Sequence, residues 1–363
     1  MIKMKSCLWG CIITLLILCQ SATAVADTVK LKDGHPDRHI VVKGDTLWDI
    51  AAEFLENPWR WPEIWDINPE IKNPHLIYPG DVIYLDIVNG RPVLKVERQG
   101  QKAAVTQAAD GRKVVKLTPR IRRSELDQQA IPMIRSDVIK QFLQYPRIVS
   151  QRELDQSGYV VASQDGSLIS GSDDIIYARG IKQSDLSNYE IVRKNKVYRK
   201  NGSKGKIIGI EVLRVADGQV ERFGDPATVY VRDASREVLV GDRLLANDLE
   251  HQMSSEFLPR EPGKKVRGSI IAVIDGVSRI GQYHTIVISL GKRDQIEEGN
   301  ILAVYQSGKT VRDPVTDKWD NEIVLPEERA GTVMVVKAFD QVSYALVMEA
   351  DRDIRIMDSV ANP

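Results

Sequence analysis

Two turn signals bracket one short stretch and force the chain between them to fold back on itself. Gly44-Asp45 breaks a β-type run at the front, and Tyr78-Pro79-Gly80-Asp81 breaks one at the back. In the second, Pro at the second position and Gly at the third suit a type II turn. His39 to Lys43 reads as a strand, with Ile40 and Val42 on one face and Val41 on the other. Thr46 is placed to cap a helix, with Asp49 three residues on, close to a capping box. Leu47, Ile50, Ala51 and Phe54 then recur at helical spacing and form one apolar stripe. Pro58 bars continuation, and Pro62 suits the first position of a second helix. Ile64, Trp65 and Ile67 give that helix its apolar side, and Asn68-Pro69 ends it. Val82 to Leu85 alternates as a strand again. The predicted order over 39–86 is strand, helix, helix, strand.

Three runs of this stretch resemble the LysM family. They are Val42-Lys43-Gly44-Asp45-Thr46-Leu47-Trp48, Ile67-Asn68-Pro69, and Asn73-Pro74-His75-Leu76-Ile77-Tyr78-Pro79-Gly80-Asp81. The resemblance covers 39–86, roughly an eighth of the chain. It implies an α+β module of βααβ order that binds polymers containing N-acetylglucosamine, in bacteria usually peptidoglycan. It also implies a groove between the first and last loops. Gly44, Asp45, Thr46 and Leu47 would line one wall, and Asn73, His75, Leu76 and Ile77 the other. Gly44 would let backbone approach a sugar closely. Leu76 and Ile77 would cover an acetamido methyl, while Asp45 or Thr46 is read rather as capping the helix. On this expectation Ile77→Lys abolishes glycan binding without moving the melting temperature, and His75→Ala matters much less.

The segment Leu55 to Trp65 is about three residues longer than the family pattern and carries Trp59, Trp61 and Trp65. Trp61 and Trp65 are read as filling a core too small to close otherwise. Trp59, between Pro58 and Arg60, is the candidate for an exposed ring that stacks on sugar faces.

Residues 1–26 read as a signal peptide. Lys3 and Lys5 form a basic start, Leu8 to Cys19 an apolar run, and Ala24-Val25-Ala26 a small-residue cleavage site. Cys19 follows Leu18, where lipid attachment would need a small residue, so cleavage after Ala26 and a periplasmic location are expected. The apolar run is too short to span a bilayer convincingly. All 3 cysteines precede residue 20, so the mature chain is held by ordinary burial and not by disulfides. The formal charge of the whole chain is +0, which leaves no nucleic-acid footprint.

Residues 27–38 read as an N-terminal extension. Residues 87–157 read as a linker, with Gln99 to Arg112 least structured and a short helix from Ser136 to Leu143. Arg120, Arg122 and Arg123 form a small basic cluster read as a solvated face. From Gly158 the composition shifts to β-branched residues, Gly and Asp, and a pattern recurs. A β run, a Gly/Asp turn and a second β run appear at Ile175–Ile191 and Thr285–Ile301. Shorter copies run from Thr228 to Leu244 and from Ala345 to Val360. The expected architecture is a mainly β half of two repeated small barrels or sandwiches, 158–248 and 266–363, joined by a linker over 249–265. The whole arrangement resembles envelope proteins of Gram-negative bacteria with one LysM module ahead of a β-rich tail.

LysM modules often anchor cell-wall hydrolases, so partner chemistry matters. The 5 histidines, His35, His39, His75, His251 and His284, show no metal-ligand spacing, and no metal or other cofactor is expected. Without a mature thiol there is no cysteine nucleophile. No phosphate loop or nucleophile elbow is present. The acids a glycosidase would need, Asp173-Asp174, Asp294, Glu297-Glu298 and Glu327-Glu328, sit at turns and strand ends. The expected function is non-catalytic peptidoglycan binding, with the β tail as an adaptor for an envelope protein. A hydrolase with an unrecognised catalytic C-terminal half is the alternative.

Overall fold

The computed structural model describes residues 29–65, 77–97, 105–107, 113–115, 131–134, 146–181, 187–200, 202, 204–246, 258–274, 280–315 and 322–363. The expected signal peptide, the Arg120–Arg123 cluster and the Ser136–Leu143 helix lie outside them.

The N-terminal module has the βααβ order. Strand β1 (Arg38–Ile40) pairs antiparallel with β2 (Val82–Val88), and between them lie α1 (Leu47–Phe54) and α2 (Trp61–Trp65). The Thr46 hydroxyl accepts the Asp49 N–H and donates to the Asp49 carboxylate, which starts α1. Leu47, Ile50, Ala51 and Phe54 all face inward, as the helical stripe requires. Pro58 does not simply stop the chain. It opens a 3₁₀ turn over Pro58–Arg60 that leads directly into α2.

The sheet of the module continues past Asp86. Asn89 and Gly90 both have positive φ, 53° and 77°, and turn β2 into β3 (Arg91–Glu97). The start of the expected linker is thus a third strand of the module's sheet, with Val93, Leu94 and Val96 buried. Pro92 is tolerated there because β3 is an edge strand. A hairpin of β4 (Val105–Gln107) and β5 (Lys113–Val115) follows.

Strand β6 (Arg147–Val149) and helix α3 (Gln151–Gln156), capped by Ser150, lead into the β-rich half. Its first part comprises β7 (Gly158–Ser163), β8 (Ile169–Ser170), β9 (Ile175–Arg179), β10 (Asn188–Arg199), β11 (Ile207–Arg222), β12 (Ala227–Ala234), β13 (Val238–Leu239) and β14 (Arg243–Ala246). The strand order β10-β14-β7-β9-β12-β11 closes through an additional β10–β11 pairing, while β6 adds outside the ring on β11. Val160, Ile176, Ile191, Val229, Val231 and Leu244 fill this ring.

The second part comprises β15 (Arg267–Val273), β16 (Thr285–Ile288), β17 (Ile301–Gln306), β18 (Thr310–Arg312), β19 (Glu322–Val324), β20 (Glu328–Ala338), β21 (Ser343–Ala350) and β22 (Ser359–Ala361). Six of these form a closed barrel in the order β15-β16-β21-β20-β17-β22, and β18 and β19 form a separate hairpin. Successive side chains of β21 alternate between two buried faces. Ala345 and Val347 point into the barrel, while Tyr344, Leu346 and Met348 join a cluster that also holds Leu47, Ile50 and Phe54 of the LysM-like module. Burial on both faces explains why Tyr344 to Met348 is continuously apolar.

One turn occurs six times among the described residues. In Val42–Asp45, Tyr78–Asp81, Leu239–Asp242, Gly281–His284, Glu297–Asn300 and Arg355–Asp358, the fourth N–H donates to the first carbonyl at 3.0–3.2 Å. In each, the fourth side chain accepts the first residue's N–H at 2.7–3.0 Å. The third residue has φ of 106°, 95°, 94°, 65°, 88° and 79° respectively, and it is glycine in all but Tyr283 and Met357. The local requirement, an acceptor at position four and a left-handed residue at position three, accounts for the recurring Gly-Asp signal.

Candidate glycan-binding site

The first wall is built on Asp45. Its carboxylate accepts the Val42 N–H at 2.9 Å and the ring Nε2 of His39 at 2.8 Å. His39 Nδ1 lies 2.9 Å from Glu53 on α1. Burial alone would lower the His39 pKa, but the hydrogen bonds and charges of Asp45 and Glu53 outweigh it and hold the pKa above the ordinary value. Asp45 therefore ties the loop to the first strand and to α1. Gly44, with φ of 106°, is exposed and has open space where a side chain would project. Thr46 and Leu47 are buried, the first as helix cap and the second in the core.

The second wall is described from Ile77 onward; Asn73, His75 and Leu76 lie outside the described residues. Ile77 has 0% exposure. Its side chain belongs to the core and not to a ligand surface, so the expectation of a groove-facing residue with no structural role is corrected. The reason is its register: the following type II turn, with Gly80 N–H donating to the Val41 carbonyl at 2.8 Å, pulls Ile77 inward.

Trp59 also departs from expectation. It is 6% exposed and packs with Trp61 and Trp65, so it offers no open ring face to a sugar. Trp61 and Trp65 meet edge to face at 6.2 Å. Arg60 sits over the Trp59 ring and forks onto both oxygens of Glu63 at 2.8 Å. The 3₁₀ turn that begins at Pro58 directs all three indoles into the module, whose small core needs the volume. The three indole N–H groups find no acceptor among the described residues.

A segment that sequence reasoning passed over lies across both walls. Leu47 N–H donates to the Pro132 carbonyl at 3.1 Å, Trp48 N–H to the Met133 carbonyl at 3.3 Å, and Ile131 N–H to the Ile77 carbonyl at 2.8 Å. The available signal was the apolar run Ile131-Pro132-Met133-Ile134 within polar chain.

Among known protein families, the LysM domain matches this chain at residues 39–86. Residues 39–86 are a LysM domain. A LysM domain is a binding module, and peptidoglycan binding is its general function. The LysM module is accompanied by two curated relatives of partial coverage. The uncharacterized protein YqbP of Bacillus subtilis is 38% identical over 55 residues, 12% of this chain and 25% of that protein. The endolysin of Bacillus phage B103 is 30% identical over 118 residues, 31% of this chain and 43% of the endolysin. The match therefore spans less than half the length of either relative. No helix among the described residues is long and apolar enough to cross a membrane.

Proposed function

We propose that this protein is a non-catalytic peptidoglycan-binding protein of the periplasm, whose LysM module engages the glycan and whose β-rich half recruits an envelope protein. The observation that carries the reading is the LysM module itself, with its Asp45-anchored loop and open Gly44. Six of the seven acids singled out in the sequence are engaged in structural contacts. Asp173 accepts the Tyr230 hydroxyl, Asp174 the Gly171 N–H, and Asp294 the Gly291 N–H. Glu297 pairs with Arg260, Glu327 with Arg267 and Glu328 with Arg352.

The adaptor half of the reading has two supports. Leu168, Ile169 and Val240 lie exposed around the β8–β13 pair of the first ring, and Ile323 and Val324 on the β18–β19 hairpin of the second. Numbered one to six within each ring, leaving aside the β8–β13 and β18–β19 pairs, the neighbour order is 1-2-5-4-3-6 in both. We read the two as a repeated unit on that ground. Co-sedimentation of the intact protein with purified sacculi tests glycan binding, and capture from periplasmic extract on an immobilised intact protein tests the adaptor role.

A second reading, cell-wall hydrolysis, is favoured by one specific place. A concavity on the second barrel is lined by Gln282, Glu349, Asp351 and Asp353. Burial, and then the neighbouring Asp351, raises the Glu349 pKa, as a general acid requires. The likeness to a phage endolysin points the same way. A zymogram decides: a clearing band that Glu349→Gln removes would make this an enzyme, and its absence leaves the binding reading.

A further inference from the structure

The first two residues of α1, Leu47 and Trp48, carry N–H groups with no acceptor inside their own helix. Both are satisfied by the carbonyls of Pro132 and Met133, while the opposite wall accepts Ile131 N–H at the Ile77 carbonyl. The side chains of Ile131, Met133 and Ile134 are 4%, 6% and 1% exposed and belong to the same cluster as Leu47, Trp48 and Ile77. The segment is therefore packed as well as hydrogen-bonded. A peptide unit and an acetamido group are both secondary amides. Each brings a carbonyl acceptor, an N–H donor and adjacent apolar carbon.

We propose that Ile131–Ile134 is an internal occupant of the LysM groove, and that this segment and an N-acetylated glycan exclude one another. The proposal rests on the peptidoglycan-binding reading and adds its regulation. The groove's donors on α1 and its acceptor at Ile77 serve one occupant at a time. Apparent glycan affinity is then reduced by the fraction of molecules in which the segment is displaced. Anything that draws residues 131–134 away raises that affinity, including a partner that binds the segment itself.

The test titrates chitohexaose, the six-sugar oligomer of N-acetylglucosamine, into the intact protein and into Ile131→Asp/Ile134→Asp. Calorimetry reads binding, amide hydrogen exchange reads Leu47, Trp48 and Ile131, and circular dichroism checks the fold. In the unliganded wild type all three amides should be protected. In the double variant they should exchange freely, and chitohexaose should bind at least about tenfold more tightly. Saturating sugar should accelerate exchange at Ile131 of the wild type while Leu47 and Trp48 stay protected. Equal affinity of wild type and folded variant, or unchanged Ile131 protection at saturation, overturns the occlusion and leaves the glycan-binding reading standing. A variant whose Leu47 and Trp48 amides are free yet binds no sugar overturns both. Should the double variant not fold, Met133→Ser replaces it.

Discussion

Tyr283 donates its hydroxyl to the Asp49 carboxylate at 3.2 Å, across 234 positions of the chain. Asp49 stands in the first turn of α1, where it also receives the Thr46 hydroxyl. A carboxylate there is favoured by the helix dipole, and its second oxygen is used to hold the LysM module against the second barrel. Tyr283→Phe keeps the ring and removes the donor. Unfolding in urea should show a loss of about 1 kcal/mol. A double-mutant cycle with Asp49→Asn should return most of that as coupling energy; zero coupling would mean the contact holds nothing.

His39 gives the LysM module a pH dependence of known sign. Its pKa is raised in the folded state by the Asp45 and Glu53 carboxylates, against the lowering effect of burial. The charged imidazole therefore stabilises the fold, fully so below its unfolded value of about 6.5. The contribution is lost as pH rises from there through the higher folded value. The urea midpoint of the wild type should fall across that window, and His39→Gln should flatten the profile. A wild-type midpoint that rises with pH there would contradict the assignment.

Ile77→Lys should not be a clean probe of the groove. Its side chain is fully buried, so the substitution places an ammonium in the core. The cost should be on the order of 4 kcal/mol, seen as a large drop in melting temperature. An unchanged melting temperature would mean that Ile77 faces solvent after all.

Met357 occupies the left-handed position that glycine fills in four of its sister turns, and it is 50% exposed. Met357→Gly relieves that strain and gives up little burial, at the cost of a more flexible unfolded chain. A net gain of about 0.5–1 kcal/mol is expected by chemical denaturation. The reverse change at Gly241, with φ of 94°, should destabilise by a similar or larger amount.

What could be read from sequence was local. Thr46 with Asp49, the stripe from Leu47 to Phe54 and the Tyr78–Asp81 turn each need only a few neighbouring residues, and each forms as its pattern requires. The Asn89-Gly90 hairpin was equally local, but Pro92 beside it masked the strand, and only its edge position makes that proline tolerable. Trp59 was ambiguous because flanking residues do not say which way a 3₁₀ turn aims its side chains. The pairing of Ile131 with Ile77 was out of reach, since backbone hydrogen bonds between distant segments leave no residue-type signature. The same holds for the β10–β11 pairing that closes the first ring.

Ring closure also restricts how anything else can attach to the β-rich half. In both rings every strand has a neighbour on each side, so the backbone donors and acceptors of the twelve ring strands are largely committed to one another. A visiting polypeptide finds little free ring edge on which to lend a further strand, and where β11 outruns β12 the chain's own β6 already takes that place. Recognition is then left mainly to side chains, at the ends of the rings and on the outlying β8–β13 and β18–β19 pairs, and closure limits edge-to-edge stacking of the rings at high protein concentration.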